Sequence, residues 1–252
     1  MRIETTILTH TEQRFLEENG RLVVGRSSSP NSVKLASLLE EGAVCAYLDT
    51  IREDLGTDKN DVAASMLLKR LGFLAVNCLL SMSAFNKTLK IDPENIWLDS
   101  FYDKGTWLPK IRFYEIEMEE ALSEGRSDWR TRHFNSLFQG LFVPLIEQVA
   151  KEAKVSRQTL WENVMLYVYW LYETILPKLD VTEHATEDFQ ALLDAPSSLF
   201  GMNRNPAETF YSEKVFVEKH QANIRVRKTC CFYYQTNTSG ARCSTCPLEC
   251  KV

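Results

Sequence analysis

Four cysteines near the C-terminal end of the chain have the type and spacing that a metal centre requires. Cys230 and Cys231 are adjacent, and eleven residues separate them from Cys243, which is followed at C-x2-C spacing by Cys246. Four thiolates complete the coordination of one tetrahedral zinc ion or of the two irons of a [2Fe–2S] cluster. The sequence therefore predicts a thiolate metal site in this segment.

The adjacent pair favours iron–sulfur over zinc. Neighbouring side chains of an extended segment point to opposite sides, so Cys230 and Cys231 close a chelate around a single ion poorly. Paired zinc ligands are usually spaced by about two to four residues. Pro247 follows the last of the four cysteines, as in the Cys-Pro runs of iron–sulfur sites. A [2Fe–2S] cluster is the favoured interpretation, and a zinc-stabilised binding module remains the alternative.

A basic stretch leads into the cysteines. Residues 214–228 contain five Lys or Arg and one Glu, although the whole chain has a net charge of -5. Four thiolates on an oxidised [2Fe–2S] core leave about two negative charges. Nearby positive charge stabilises the reduced form, so Arg227, Lys228 and Arg242 are expected to tune the cluster.

The rest of the sequence offers fewer candidate functional residues. Cys45 and Cys78 lie on apolar helical faces and are expected to be small core residues. Cys250 is either a spare thiol or an alternative ligand. Neither a G-x-G-x-x-G motif after a predicted strand nor a G-x4-G-K-[ST] loop occurs. We therefore expect the chain to have no nicotinamide, flavin or ATP site of its own. It would then receive its electrons from a separate donor.

The elements that must position these cysteines are mostly helical. Apolar periodicity predicts helices from residue 33, from Asn60, over residues 126–154 and after Ser156. Pro144 is expected to kink or divide the third of these helices. Residues 96–101 and 107–114 predict a β-hairpin whose second strand is placed at an edge by Pro109. Two short runs of apolar residues within the first 25 residues predict short strands.

The predicted fold class is α+β. A predominantly helical body with a short β-hairpin spans residues 1–209, and a small C-terminal cysteine-rich iron–sulfur lobe spans residues 210–252.

Composition excludes several classes of protein. The chain has 252 residues, 44% hydrophobic and 25% charged, as in ordinary globular proteins. The acidic net charge argues against a nucleic-acid partner. The N-terminus lacks the apolar region of a secretory signal. The most apolar stretch, residues 71–85, is too short for a bilayer. We expect no transmembrane segment and a cytoplasmic protein.

The cysteine segment resembles a known family. Residues 229–234 (TCCFYY) and 243–248 (CSTCPL) are similar to the C-terminal signature of the FhuF family of ferric siderophore reductases, and Arg227-Lys228 resembles its basic pair. Residues 65–70 (SMLLKR) resemble a helix common to the family, and residues 201–206 resemble its Asn-Pro loop. The loop between the cysteine pairs is one residue longer here than in the usual family form.

The resemblance implies a [2Fe–2S] cluster held by Cys230, Cys231, Cys243 and Cys246, through which the electron passes. It implies reduction of Fe(III) in an imported siderophore, typically of the hydroxamate type, with release of Fe(II). The helical body, residues 1–209, would be the siderophore platform. Hydroxamate oxygens are hard ligands that hold Fe(III) better than Fe(II), so one electron weakens the complex. The donor would be a ferredoxin, a flavodoxin or a reductase. The alternative is an iron–sulfur electron carrier or adaptor without a substrate site of its own.

Overall fold

One long helix, α3 (Asn60–Phe85), forms the centre of the protein. The computed structural model describes residues 4–27, 29, 31–121, 125–179, 182–236 and 240–250. Nearly every position of α3 from Val62 to Ser83 is buried, as in a helix that neighbours cover on all sides. By length and composition α3 is able to cross a membrane, but 89% of its most apolar window is buried inside the protein. The apolar stretch over residues 71–85 is thus one part of a longer core helix.

The other helices surround α3. Helix α6 begins after Ser156, whose side chain accepts a hydrogen bond from the Gln158 N–H, so the predicted N-cap is confirmed. Helix α6 packs along α3, where Gly72 allows the ring of Tyr167 to approach the α3 backbone. The surrounding helices are α1 (His10–Gly20), α2 (Ala43–Arg52), α4 (Arg126–Phe134), α5 (Val143–Ala153), α6 (Arg157–Trp170), α7 (Thr182–Leu193) and the short α8 (Pro206–Thr209).

Short strands form two sheets and two isolated pairs. The strands are β1 (Glu4–Thr6), β2 (Leu22–Val24), β3 (Ser32–Lys34), β4 (Lys87–Leu89), β5 (Ile96–Asp99), β6 (Tyr102–Asp103), β7 (Thr106–Trp107), β8 (Lys110–Phe113), β9 (Met118–Glu120), β10 (Val215–Val217) and β11 (Ala222–Ile224). One sheet has the order β2-β8-β5-β3, in which only β2 and β8 are parallel, and the other has the order β1-β9-β4. β6 pairs with β7 and β10 with β11. Together with the helices, these sheets confirm the α+β class.

The predicted hairpin is present, but its second strand is central. β5 pairs with β8 in antiparallel register, with Asp99 opposite Lys110. β8 also pairs with β2 on its other side, so the edge position predicted from Pro109 is wrong. Pro109 lies just before the first paired residue, and its missing N–H therefore costs the sheet no hydrogen bond.

Other local predictions differ from the structure. Helix α1 was not predicted; it begins at a capping box in which Thr9 and Glu12 bind each other's backbone N–H. The first predicted helix begins later, because strand β3 and a 3₁₀ turn (Ala36–Leu39) precede α2. Part of its predicted entrance, Ser28 and Pro30, lies outside the described residues.

The helical stretch before residue 154 accommodates its proline without ending. A π-helical segment (Asn135–Phe142) joins α4 to α5, and Pro144 lies in the first turn of α5. The wider turn redistributes the backbone hydrogen bonds ahead of Pro144, whose nitrogen has no hydrogen to donate. The boundary predicted at residue 210 stays a prediction.

Close packing of α3 on α6 gives a stability test. A Cβ at Gly72 would lie 2.8 Å from Tyr167 Cδ2, whereas one at Gly140 would meet only the Asn135 carbonyl at 3.5 Å. We expect Gly72→Ala to lower the free energy of unfolding by about 1–2 kcal/mol, because overpacking outweighs the better helix propensity of alanine. Gly140→Ala, the matched control, should be neutral or stabilising. Urea unfolding measures both, and equal stabilities would contradict the account of the α3–α6 contact.

Candidate functional site

The cysteine segment lies against the central helix pair. Residues 227–229 contact α6 and Cys231 contacts α3, so the segment is fixed to the two most closely packed helices of the body. Cys231 is buried and belongs to the hydrophobic core of the body. The cysteine segment is therefore built onto the core rather than joined to it by a free linker.

A buried carboxylate on α6 holds the approach to the cysteines. Glu162 accepts hydrogen bonds from the N–H groups of Lys228 (2.6 Å) and Thr229 (2.8 Å) and from the Thr229 hydroxyl. Its Oε2 lies 3.4 Å from Nη2 of Arg227, whose side chain is also buried. A buried charge is tolerated where it is paired and hydrogen-bonded. Glu162 meets both conditions and fixes the chain directly before Cys230.

A chain of hydrogen bonds from α6 through α3 holds the backbone of Cys231. Asn163 Nδ2 donates to the Ser65 carbonyl (2.8 Å) and to Ser65 Oγ (2.9 Å). Ser65 Oγ in turn donates to the Cys231 carbonyl at 2.9 Å. All three groups are buried, where a lost hydrogen bond is costly. Ser65 begins the helix segment that resembles the family, and this contact gives that segment a role in the site.

The structure brings two of the four predicted thiols, those of Cys231 and Cys243, into direct contact. The Sγ atoms of Cys231 and Cys243 are 3.6 Å apart. Cys230 Sγ accepts from the Phe232 N–H at 3.4 Å, and the Cys246 N–H closes a turn onto the Cys243 carbonyl at 3.0 Å. Within the part of the chain that is described, no three His, Cys, Asp or Glu side chains converge as the ligands of one metal ion.

The separation of Cys231 and Cys243 suits two ligands of one metal. A tetrahedral ion with metal–sulfur bonds of about 2.3 Å holds two sulfurs roughly 3.8 Å apart. The observed pair joins one cysteine from each half of the motif, which the spacing in the sequence did not indicate.

The electrostatics of the site favour an anionic sulfur. The hydrogen bond shared with Cys243 lowers the pKa of Cys231, and the positive charges of Lys69 and Arg227 act in the same direction. The same contact and burial raise the pKa of Cys243. Burial raises the pKa of Cys230. Thiolates are the form that binds metals.

Two of the three predicted tuning residues lie beside the thiols. The charge of Arg227 acts on Cys230 and Cys231. Arg242 stacks on the Tyr234 ring at 4.4 Å, and its Nη1 lies 3.9 Å from Cys246 Sγ. The ammonium of Lys228 instead donates to the Thr209 carbonyl. That these residues tune the cluster stays a prediction.

Arg227 also tests whether the site fits an anionic cofactor. Its Nε donates to the Thr229 carbonyl at 3.2 Å, and its Nη2 is ion-paired with Glu162. Nη1 and Nη2 are buried, and neither donates a hydrogen bond within the described parts of the chain. Buried donors without a hydrogen bond are rare in folded proteins and call for an acceptor. Four thiolates around a [2Fe–2S] core supply negative charge and sulfur acceptors, so the four thiols and these two nitrogens both fit the cluster.

Two important residues were missed from the sequence. The sequence does indicate Glu162, because this acid interrupts a helical stretch that is otherwise largely apolar. An acid buried in such a helix needs a partner. Lys69, whose charge acts on both Cys231 and Cys243, follows Ser65 by one helical turn. Its place beside the cysteines depends on long-range packing and had no signal of its own.

The other cysteines have separate environments. Cys250 is buried, and its thiol donates to the Ser244 carbonyl (3.2 Å) within the Cys243–Cys246 turn. Cys78 is a fully buried core residue, as predicted. Cys45 is only half-buried and contacts the Glu152 carbonyl.

Comparison with known families identifies the chain. Residues 80–223 match the family model described as ferric iron reductase FhuF-like transporter. The chain belongs to the FhuF family. Residues 227–248, which contain the anchored cysteines, match the FhuF 2Fe-2S C-terminal domain. This FhuF-family protein is therefore an iron–sulfur protein with a [2Fe–2S] cluster, which replaces the zinc alternative, and the family name indicates a reductase. No curated protein matches the chain.

The Glu162 contacts give a second test. Glu162→Gln removes the charge that faces buried Arg227, and we expect it to lower the free energy of unfolding by about 2–3 kcal/mol. Iron and acid-labile sulfide per chain should fall as well, because residues 228–229 lose their charged acceptor. Glu117→Gln is the control, since Glu117 forms an exposed pair with Lys90 and should cost less than about 0.5 kcal/mol. Equal effects of the two changes would refute the anchoring role.

Proposed function

We propose that this FhuF-family protein is a ferric siderophore reductase. It reduces Fe(III) in a siderophore complex, of the hydroxamate type, by one electron and so releases Fe(II). The observation that carries the proposal is the family's cysteine segment, which buried contacts fix to α3 and α6 beside the buried guanidinium of Arg227.

We further propose Cys230, Cys231, Cys243 and Cys246 as the four cluster ligands. The 3.6 Å separation of the Cys231 and Cys243 sulfurs supports their assignment to one iron. Cys230 and Cys246, whose charges act on each other, then share the second iron. Each iron takes one ligand from the adjacent pair and one from the C-x2-C pair.

The surrounding residues hold and polarise this site. A bound [2Fe–2S] cluster supplies electrons one at a time. Arg227, Lys69 and Arg242 place positive charge next to the sulfurs, which favours the reduced state. Glu162 and Ser65 fix the backbone on either side of Cys230, which limits reorganisation of the site.

The partners follow from the chemistry that the chain lacks. The sequence contains no nucleotide-binding motif, so we propose that a separate ferredoxin, flavodoxin or reductase delivers the electrons. Seven free thiols in the described chain and an iron–sulfur site suit a reducing compartment, and we propose a cytoplasmic location.

Matched cysteine variants test the ligand assignment. We expect Cys231→Ser and Cys243→Ser to give similar altered Mössbauer and visible spectra, because both change the same iron. Cys230→Ser and Cys246→Ser should form a second matched pair. Cys250→Ser should leave the spectrum unchanged, since a serine hydroxyl still donates to Ser244. A normal spectrum for any of the first four variants would remove that residue from the ligand set.

Activity is tested with the anaerobically purified protein. It should contain two irons and two sulfides per chain, the content of a [2Fe–2S] cluster, within about 20% for incomplete loading. After chemical reduction it should release Fe(II) from a ferric trihydroxamate, measured with a ferrous chelator. Electron transfer to a partner protein without reduction of any ferric chelate would favour the carrier alternative instead.

A further inference from the structure

A surface cavity lies directly beside the segment that enters the cluster site. It has a volume of about 660 Å³, within the range of sites for drug-sized ligands. Its lining comes from the start of α6, from the loop before α8, from the end of α8 and from Lys228 and Thr229. Thr229 immediately precedes Cys230, so this wall of the cavity continues into the proposed ligands.

The charge of the lining has one sign. Arg157, Arg204 and Lys228 line the cavity, and no Asp or Glu is among its described lining residues. Arg157 is partly neutralised by Glu147 at 3.2 Å, an exposed pair. The N-terminal turn of α6 adds the positive end of its helix dipole. The field in the cavity therefore favours anions.

Buried contacts fix the loop that carries Arg204. Asn205 Nδ2 donates to the carbonyls of Leu192 (3.0 Å), Leu193 (2.8 Å) and Ala195 (3.0 Å), and its Oδ1 caps α8 at Ala207 N. This is the loop that resembles the Asn-Pro loop of the family. The backbone beneath Arg204 is thus held in place, while the Arg204 side chain remains exposed.

A second cavity, of about 510 Å³, is less suited to binding an anion. Its lining combines Arg21 and Lys110 with Glu17 and Asp103, so its charges largely cancel. No residue of the cysteine segment lines it. It provides an internal comparison for the cavity beside Thr229.

We propose that the cavity lined by Arg157, Arg204 and Lys228 binds the ferric siderophore and selects it by charge. Three hydroxamates neutralise Fe(III), so the net charge of such a complex comes from the groups on its backbone. The cavity therefore prefers complexes with a free carboxylate to neutral ones, and disfavours those with a free amine. The ferric ligand rests on the proposed function; the preference for anions rests on the lining.

The test uses one linear trihydroxamate in three forms, with its terminal amine free, acetylated or succinylated. Their gallium(III) complexes have the charges of the ferric complexes but are not reduced, so titration calorimetry measures binding apart from turnover. For the wild-type protein the Kd should fall from the amine to the acetyl to the succinyl form, by about tenfold overall. The differences should shrink in high salt.

Charge reversal in the cavity should change this order. Arg204→Glu should raise the Kd of the succinylated complex about tenfold and leave that of the amine form unchanged or lower. Arg204→Gln should have an intermediate effect. Lys110→Glu changes the net charge equally in the other cavity and should leave all three Kd values within about twofold.

Three outcomes would overturn the proposal. The first is that the wild-type protein binds none of the complexes. The second is that Arg204→Glu and the wild type bind the succinylated complex with equal Kd values. The third is that Lys110→Glu changes the Kd values more than Arg204→Glu does. Failure of the proposed function is distinct from these. In that case the gallium complexes bind in the expected order, yet the reduced protein releases no Fe(II) from their ferric counterparts.

Discussion

The buried carboxylate of Glu162 is the contact on which the arrangement of the site depends. It binds two consecutive backbone N–H groups and faces the buried guanidinium of Arg227. A charge in this position is stable only while its partners stay in place, because an unpaired buried ion is strongly unfavourable. The same contact that satisfies Glu162 therefore determines where the chain enters the cysteine segment.

The two central helices serve the core and the site together. α3 supplies Ser65 and Lys69 to the cysteine segment, and α6 supplies Glu162 and Asn163. Their close approach at Gly72 lies two turns along α3 from Ser65. Because interiors are densely packed, a shift between these helices would move the contacts of Cys230 and Cys231 as well. Stability of the core and geometry of the site are thus linked.

The sequence indicated the features whose signals are local. The cysteine spacing, the Ser156 cap, the helix from Asn60 and the β5–β8 pairing depend on residues close together in the chain. Features that depend on distant partners were missed. The central position of β8 depends on β2, nearly ninety residues earlier, and Lys69 reaches the cysteines only through folding. Pro144 indicated a local disturbance of its helix, but not the π-helical segment that precedes it.

In the structure, the basic residues directly before the cysteines contact different parts of the protein. Arg227 and Lys228 are adjacent in the chain, but their side chains reach different partners. Arg227 faces Glu162 and acts on the thiols, whereas the ammonium of Lys228 reaches the Thr209 carbonyl at the cavity. One run of positive charge is therefore divided between two places. We propose that the charge beside the sulfurs stabilises the reduced state and that the charge at the cavity selects the anion that binds. Because the backbone between these residues is held by Glu162, the separation of the two fields is fixed by the fold.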